Sequence, residues 1–164
     1  MGVDQLKIKD RDSKITIVDP LDVGMGVEVS WEFEGNEITK AVIDPNKTYL
    51  LACLSPSREE VIIISSRLKG NDPSAQATVF NLDGSVGFYL IPPALVSEKY
   101  NEYEKHVGVA TALKSIDFIQ PRIKNVDGNV KLLMWIGFAY DWFEERELNA
   151  KTGEFGECFG TSRL

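Results

Sequence analysis

One stretch decides the fold: residues 130 to 143 read V-K-L-L-M-W-I-G-F-A-Y-D-W-F. Successive side chains of a β-strand point to opposite faces, so a period of two is typical of a strand with one face in the core. Leu133 and Trp135 make the odd face apolar enough to be partly covered. The pattern predicts one long central strand, bent or bulged at Gly137, since glycine inside a strand commonly marks such a site. Its even positions form an unbroken apolar row: Val130, Leu132, Met134, Ile136, Phe138, Tyr140 and Trp142.

Short strands separated by turn residues are predicted along the rest of the chain. Val29 and Trp31 alternate with glutamates, which is typical of a half-buried antiparallel strand with an acidic outer face. The run V-I-I-I at 61–64 is β-branched and apolar, so it predicts an interior strand. Residues 22–26 and 70–74 predict loops. The predicted strands are 14–18, 27–34, 37–43, 48–54, 61–68, 76–81, 86–91 and 155–159, besides the long one.

Only residues 95–106 predict a helix, with Ser97 as its N-cap and Tyr100 on its apolar face. Residues 110–124 are apolar, with a predicted break at Pro121. About nine or ten strands with short connections predict a mostly β protein: a single antiparallel meander or barrel-like sheet with one short helix. A chain of 164 residues fits one domain, residues 1–164.

Charge and cysteine content restrict the partners and the compartment. A net charge of −7 disfavours nucleic acid and anionic membranes and favours a basic protein as the partner. The first twelve residues are charged and contain no apolar run, so neither a secretory signal nor a membrane anchor is expected. Two cysteines, Cys53 and Cys158, are too few for a disulfide framework. The sequence therefore predicts a cytoplasmic protein.

The residues that could take part in catalysis or metal binding each fit an ordinary structural role. His106 is the only histidine and lies at the end of the predicted helix, so we expect it to face water. Cysteine and histidine are too scarce for a zinc site. Glu32 and Glu34 share a solvent face rather than an apolar pocket, which disfavours an acid–base pair. Gly24-Met25-Gly26 precedes a strand, so it does not predict a dinucleotide site. We expect no enzyme, no metal and no cofactor.

Three acidic groups remain: one at 28–37, one on the predicted helix, and one at 141–157. The third is the densest and is interleaved with aromatic residues, a mixture that suits an interface with a basic partner. Alternation places Glu144 and Arg146 on the face that continues from the core. We therefore expect reversal of Glu145 and Glu147 to lysine to weaken partner binding more than reversal of Glu28 and Glu32. The predicted partner-binding residues are Asp141, Phe143, Glu145 and Glu147.

Two segments resemble a known class of proteins. F-N-L-D-G-S-V-G-F-Y-L-I-P-P-A (80–94) and D-W-F-E-E-R-E-L-N-A-K-T-G-E-F-G-E (141–157) cover about a fifth of the chain. They are similar to the hairpin and closing segments of small bacterial immunity proteins, which are encoded beside contact-dependent growth inhibition and other polymorphic toxins. The resemblance implies a cytoplasmic protein that neutralises a cognate toxin domain by binding it, and many such toxins are basic nucleases. The alternatives left open are a small-ligand-binding β-barrel and an enzyme that uses carboxylates alone.

Overall fold

The computed structural model describes residues 2–67 and 77–164, and the predicted loop at 70–74 lies outside them. Strands account for 53% of the structure and helices for 11%, so the mostly β class is confirmed. The single sheet is wrong, because thirteen described strands form three sheets, and there are two helices rather than one. The first nine strands are β1 (Leu6–Lys9), β2 (Ile15–Val18), β3 (Gly24–Gly26), β4 (Glu28–Phe33), β5 (Asn36–Ala41), β6 (Thr48–Leu54), β7 (Glu60–Arg67), β8 (Ala77–Asn81) and β9 (Val86–Tyr89). Then follow α1 (Glu98–Val107), α2 (Val109–Lys114), β10 (Asp117–Val126), β11 (Asn129–Phe138), β12 (Trp142–Leu148) and β13 (Phe155–Arg163).

The three antiparallel sheets pack as three layers. Sheet A has the strand order β2-β1-β4-β5, sheet B the order β3-β6-β7-β8-β9, and sheet C the order β10-β11-β12-β13. Sheet B lies in the middle: Val61 and Ile63 pack in a cluster with sheet A, whereas Ile62 and Ile64 pack in a second cluster with sheet C. Both faces of β7 are therefore buried, which confirms the interior strand predicted from V-I-I-I.

The predicted long strand is two strands joined by a tight turn. β11 ends at Phe138, and β12 begins at Trp142 and pairs antiparallel with it. Ala139 and Tyr140, between them, have left-handed φ values of 52° and 72°. Because Phe138 pairs directly with Trp142, the even positions stay on one face through the turn, so the period of two continues although the chain reverses. Leu132, Met134, Ile136 and Phe138 are buried as predicted, whereas Val130 and Tyr140 are exposed and Trp142 is half-buried.

The predicted irregularity at Gly137 lies in the neighbouring strand. Gly137 pairs in register with Asp117 and Phe143, while β10 carries an extra residue, Ile119, between Phe118 and Gln120. A Cβ on Gly137 would lie 2.8 Å from the Ile119 Cδ1 atom. The glycine therefore makes room for the bulge rather than bending its own strand. The predicted break at Pro121 is wrong, because β10 continues through this residue to Val126.

Three more elements differ from the sequence-based expectations. β1 was not predicted, β3 forms within the expected loop at 22–26, and α2 occupies a region in which no helix was expected. The predicted helix is confirmed as α1, and the Ser97 hydroxyl accepts the Tyr100 backbone N–H at 3.2 Å as an N-cap. Tyr100 then packs edge-on against the buried Phe138 ring, with ring centroids 5.4 Å apart.

Candidate partner-binding surfaces

The sequence-predicted partner residues lie on and beside the outer face of sheet C. Phe143, Glu145 and Glu147 share this face, because they pair with Gly137, Trp135 and Leu133 of β11. Asp141 lies in the turn before β12. We call this surface the C-terminal face. The core cluster between sheets B and C contains the opposite face of sheet C, so the C-terminal face is the outer surface of the three-layer stack.

Each carboxylate of the C-terminal face already has a cationic partner within the chain. Glu145 lies 3.4 Å from the Arg122 guanidinium and accepts the Trp135 indole N–H at 2.6 Å. Glu147 lies 3.0 Å from the Lys131 ammonium. Asp141 accepts the Arg163 Nε–H at 3.0 Å. A basic partner would have to compete with these intramolecular ion pairs. The carboxylates of the C-terminal face therefore attract such a partner less strongly than free carboxylates would.

The aromatic part of this face is packed on itself. The Phe143 and Trp135 rings stack with their centroids 4.1 Å apart. Phe143 is buried by this stacking, and Leu133, on the same face, is completely buried. Phe143, one of the predicted contact residues, therefore buries most of its surface within the chain. The apolar area of the C-terminal face left for a partner is small.

Glu144 and Arg146 point away from the C-terminal face, as the alternation predicted. Both are buried, and the Glu144 carboxylate accepts the backbone N–H groups of Val96 and Ser97 at 3.0 Å each. Arg146 donates to the carbonyls of Ala94 and Gly156 and lies 3.4 Å from Glu144. The pair fixes the start of α1 against sheet C, which is a structural role.

A second acidic surface forms where three turns meet at the end of sheet A. The β4–β5 hairpin carries Glu32 and Glu34, and the Trp31 indole N–H donates to the Leu82 carbonyl at 2.7 Å. This bond holds the β8–β9 turn against sheet A and brings Asp83 beside the hairpin. The side chain and N–H of Ser85 bond the Asp83 carboxylate, which lowers its pKa below the ordinary range and keeps it ionised.

The N-terminal segment and the β6–β7 turn close the other side of this surface. The Val3 N–H donates to the Arg58 carbonyl at 2.9 Å, and the next residue along the turn, Glu59, reaches the same opening. The Lys151 ammonium bonds Glu59 and lowers the pKa of its carboxyl. The result is an open cavity of about 590 Å³, which we call the acidic groove. Its apolar contacts are Val3, Phe33 and Leu82, and its carboxylates are Glu32, Glu34, Glu59 and Asp83.

The groove differs from the C-terminal face in the state of its charges. Within residues 2–67 and 77–164, Glu32, Glu34 and Asp83 form no ion pair, and only Glu59 is paired, with Lys151. A smaller adjoining cavity of about 330 Å³ adds Glu37, together with Lys7 and with Asp4, which pairs with Arg58. Unpaired carboxylates around a concave opening produce a negative potential that attracts a cation. At Glu32 and Glu34 the groove can therefore accept basic side chains without first breaking an ion pair described in the structure.

The other sequence candidates do not come together. His106 is exposed in the last turn of α1, as expected. Burial raises the pKa of the Cys53 thiol to about 12, so this cysteine stays protonated and unreactive. The part of the chain that the structure describes contains no group of three side chains able to hold a metal ion. Neither α1 nor α2 has the length and apolar character needed to cross a bilayer.

Known proteins add no further assignment. No protein-family model, curated protein or solved structure matches the chain.

The sequence predicts two of the four groove carboxylates. Strict alternation places Glu32 and Glu34 on an acidic outer face. Asp83 and Glu59 were not associated with them, since they lie in turns 51 and 27 residues further along from Glu32. No local pattern encodes the bond from Trp31 to Leu82 that brings these turns together.

Proposed function

We propose that this chain is a non-enzymatic, cytoplasmic immunity protein that binds and neutralises a basic toxin domain, such as a nuclease, by covering its surface. The resemblance of residues 80–94 and 141–157 to polymorphic-toxin immunity proteins suggests the class. The single observation that carries the proposal is the acidic groove, a concave surface with apolar contacts and three carboxylates that have no described ion pair. Nucleic-acid-binding toxins need a basic surface, and a groove of this charge complements it.

The groove is our preferred interface for this partner. Its size suits one or two arginine or lysine side chains, whose aliphatic stems would lie on the half-buried Phe33 while their charged ends meet Glu32, Glu34 and Asp83. The C-terminal face is the second surface. Its carboxylates at 141, 145 and 147 have internal partners, so a toxin would gain less from them.

A growth assay and a binding assay test the proposal together. The gene neighbouring that of this chain is sequenced first; if it encodes a large secreted protein, the C-terminal domain of that protein is co-expressed with this chain, and growth is compared with expression of the domain alone. Calorimetry then measures binding of the purified domain, inactivated by substitution in its active site. Protection of growth with binding in one-to-one proportion supports the proposal. Full toxicity in the presence of the folded chain, with no measurable heat, contradicts it.

A small cationic ligand is the second candidate function, because the groove volume lies in the range of small-molecule sites. The barrel form of this alternative is not retained, since the chain forms three sheets whose facing sides are filled by two core clusters. Spermidine or an arginine-containing dipeptide serves as the probe. Saturable binding of such a probe at low micromolar concentration, with no effect of the chain on toxin activity, would favour this candidate.

A further inference from the structure

One of the two edges of sheet A is formed by β2, a strand with exposed apolar side chains. β2 is the outermost strand of the sheet, and no strand among the described residues pairs with its other edge. Its residues Ile15 and Ile17 are 57% and 46% exposed. Proteins usually protect such edges with charged residues, proline or bulges, and β2 has none of these within Ile15–Val18.

The hydrogen-bonding groups of the same two isoleucines point away from the sheet. The Asp10 N–H donates to the Lys14 carbonyl, so the backbone N–H and C=O groups of Lys14 point toward β1. Directions alternate along an antiparallel strand, so Thr16 and Val18 also face β1. The N–H and C=O groups of Ile15 and Ile17 are therefore directed to the open side. The edge thus presents four backbone groups and two apolar side chains together.

We propose that β2 pairs antiparallel with β2 of a second copy of this chain, about a two-fold axis at Thr16. In this register Ile15 faces Ile17 of the second copy and Thr16 faces its counterpart. The two outward-directed residues of each copy then exchange four backbone hydrogen bonds, and the four isoleucines form one apolar cluster on the outer face. A two-fold interface requires such self-complementarity.

Charge supports a second copy as the occupant. The strand itself is uncharged, and Lys14 falls opposite Val18 of the second copy, so no like charges face one another. Moving the axis to Ile17 would instead place Ile15 against Asp19, and moving it to Ile15 would place Ile17 against Ser13. Only the register about Thr16 pairs all four isoleucines with one another. It joins two copies of sheet A into one eight-stranded sheet.

The proposed interface contains only four residues from each copy, so the association should be weak. Four residues from each copy bury less than about 1,200 Å² in total, a size typical of weak or transient association. We expect a dimer that forms with a dissociation constant of about 10 to 100 μM. β2 does not line the acidic groove, so failure of the proposed dimer would not affect the proposed toxin binding, and the reverse also holds.

Sedimentation equilibrium from about 5 to about 500 μM tests the pairing. The average mass of the natural chain should rise from 18.3 kDa toward twice that value. Ile15→Lys combined with Ile17→Lys should remain at the monomer mass, whereas Ile43→Lys, at an exposed position outside the strands, should behave like the natural chain. A natural chain that stays monomeric throughout overturns the proposal. So does a dimer that the double lysine variant retains.

Disulfide trapping tests the register independently of those variants. In a Cys158→Ser background, Thr16→Cys places two thiols at a non-hydrogen-bonded cross-strand pair, where the Cα separation suits a disulfide. Mild oxidation should convert Thr16→Cys to a covalent dimer at least about tenfold faster than Ile43→Cys in the same background. Equal rates for the two would indicate random collisions and overturn the register.

Discussion

The Glu144 carboxylate accepts the backbone N–H of Ser97, the N-cap of α1, at 3.0 Å across 47 residues of sequence. Glu144 is completely buried and also accepts the Val96 N–H, and Arg146 lies beside it. Glu144→Ala would leave the two N–H groups without their acceptor and the buried Arg146 guanidinium without its carboxylate, although it keeps the Ala94 and Gly156 carbonyls. We expect the free energy of unfolding to fall by about 3 to 5 kcal/mol, measured by urea denaturation.

Glu147→Ala is the matched control for this substitution. Glu147 lies on the same strand but pairs with Lys131 at a partly exposed position, so its removal should cost less than about 1 kcal/mol. Equal losses in the two variants would contradict the structural role of the Glu144–Arg146 pair.

The sequence predicted individual strands well because each depends on local alternation. β2, β4, β6 and β7 fall where period-two or β-branched runs were found, and Ser97 caps the helix that its position suggested. The reversal after Phe138 could not be predicted in the same way. Ala139 and Tyr140 are not typical turn residues, and the pairing of Phe138 with Trp142 preserves the alternation across the turn.

Long-range packing accounts for the remaining differences. β1 and α2 are only four and six residues long, so their formation depends on contacts that a local pattern does not encode. The division into three sheets depends on which strands pair. For example, β3 pairs with β6 in sheet B, while β4, which follows it directly, pairs with β1 in sheet A. The internal ion pairs of Glu145 and Glu147 likewise arise from cross-strand neighbours on β10 and β11.

The two cysteines should differ strongly in reactivity. Cys53 is completely buried in the core between sheets B and C, whereas Cys158 lies partly exposed on β13. At pH 8 the native protein should react with one equivalent of a thiol reagent, and Cys158→Ser should abolish this fast phase. Unfolding in urea should release the second thiol. Rapid modification of Cys53 in the folded Cys158→Ser variant would contradict its burial.

Burial of Cys53 also predicts a loss of stability at high pH. The folded-state pKa is about 12, against an ordinary value of 9.0, so above pH 9 the unfolded chain releases this proton while the folded chain keeps it. The folded state then binds more protons, and stability falls as the pH rises from 9 toward 12. Cys53→Ala should be less stable at pH 7 because of the cavity, but its unfolding free energy should fall less steeply between pH 9 and 11.

The turn between β11 and β12 should be improved by glycine. Tyr140 has a φ of 72°, a left-handed conformation that costs most non-glycine residues about 1 kcal/mol, and its side chain is exposed. Tyr140→Gly removes this strain without losing core contacts. We expect the unfolding free energy to rise by a few tenths to about 1 kcal/mol, after the entropy cost of glycine. Gly35→Ala, at a φ of 78°, should have the opposite sign, and a loss of stability in Tyr140→Gly would indicate that this side chain has packing contacts.

Charge reversal distinguishes the acidic groove from the C-terminal face in toxin binding. Glu32→Lys combined with Glu34→Lys changes two exposed groove carboxylates that have no described ion pair, whereas Asp141→Lys combined with Glu147→Lys changes two that are already paired. Both variants change the net charge equally, and both leave the buried Glu145 intact. The long-range attraction of the whole chain is therefore matched between them.

We expect the groove variant to weaken binding of the cognate toxin domain by about 2 kcal/mol or more, mainly through slower association, and to reduce its salt dependence. The C-terminal variant should lose less than about 1 kcal/mol, since Arg163 and Lys131 already neutralise the carboxylates that it replaces. Stopped-flow association at two ionic strengths, with calorimetry for affinity, measures both effects. A larger loss in the C-terminal variant would restore the interface predicted from the sequence, in which Phe143 and its neighbouring carboxylates meet the toxin directly.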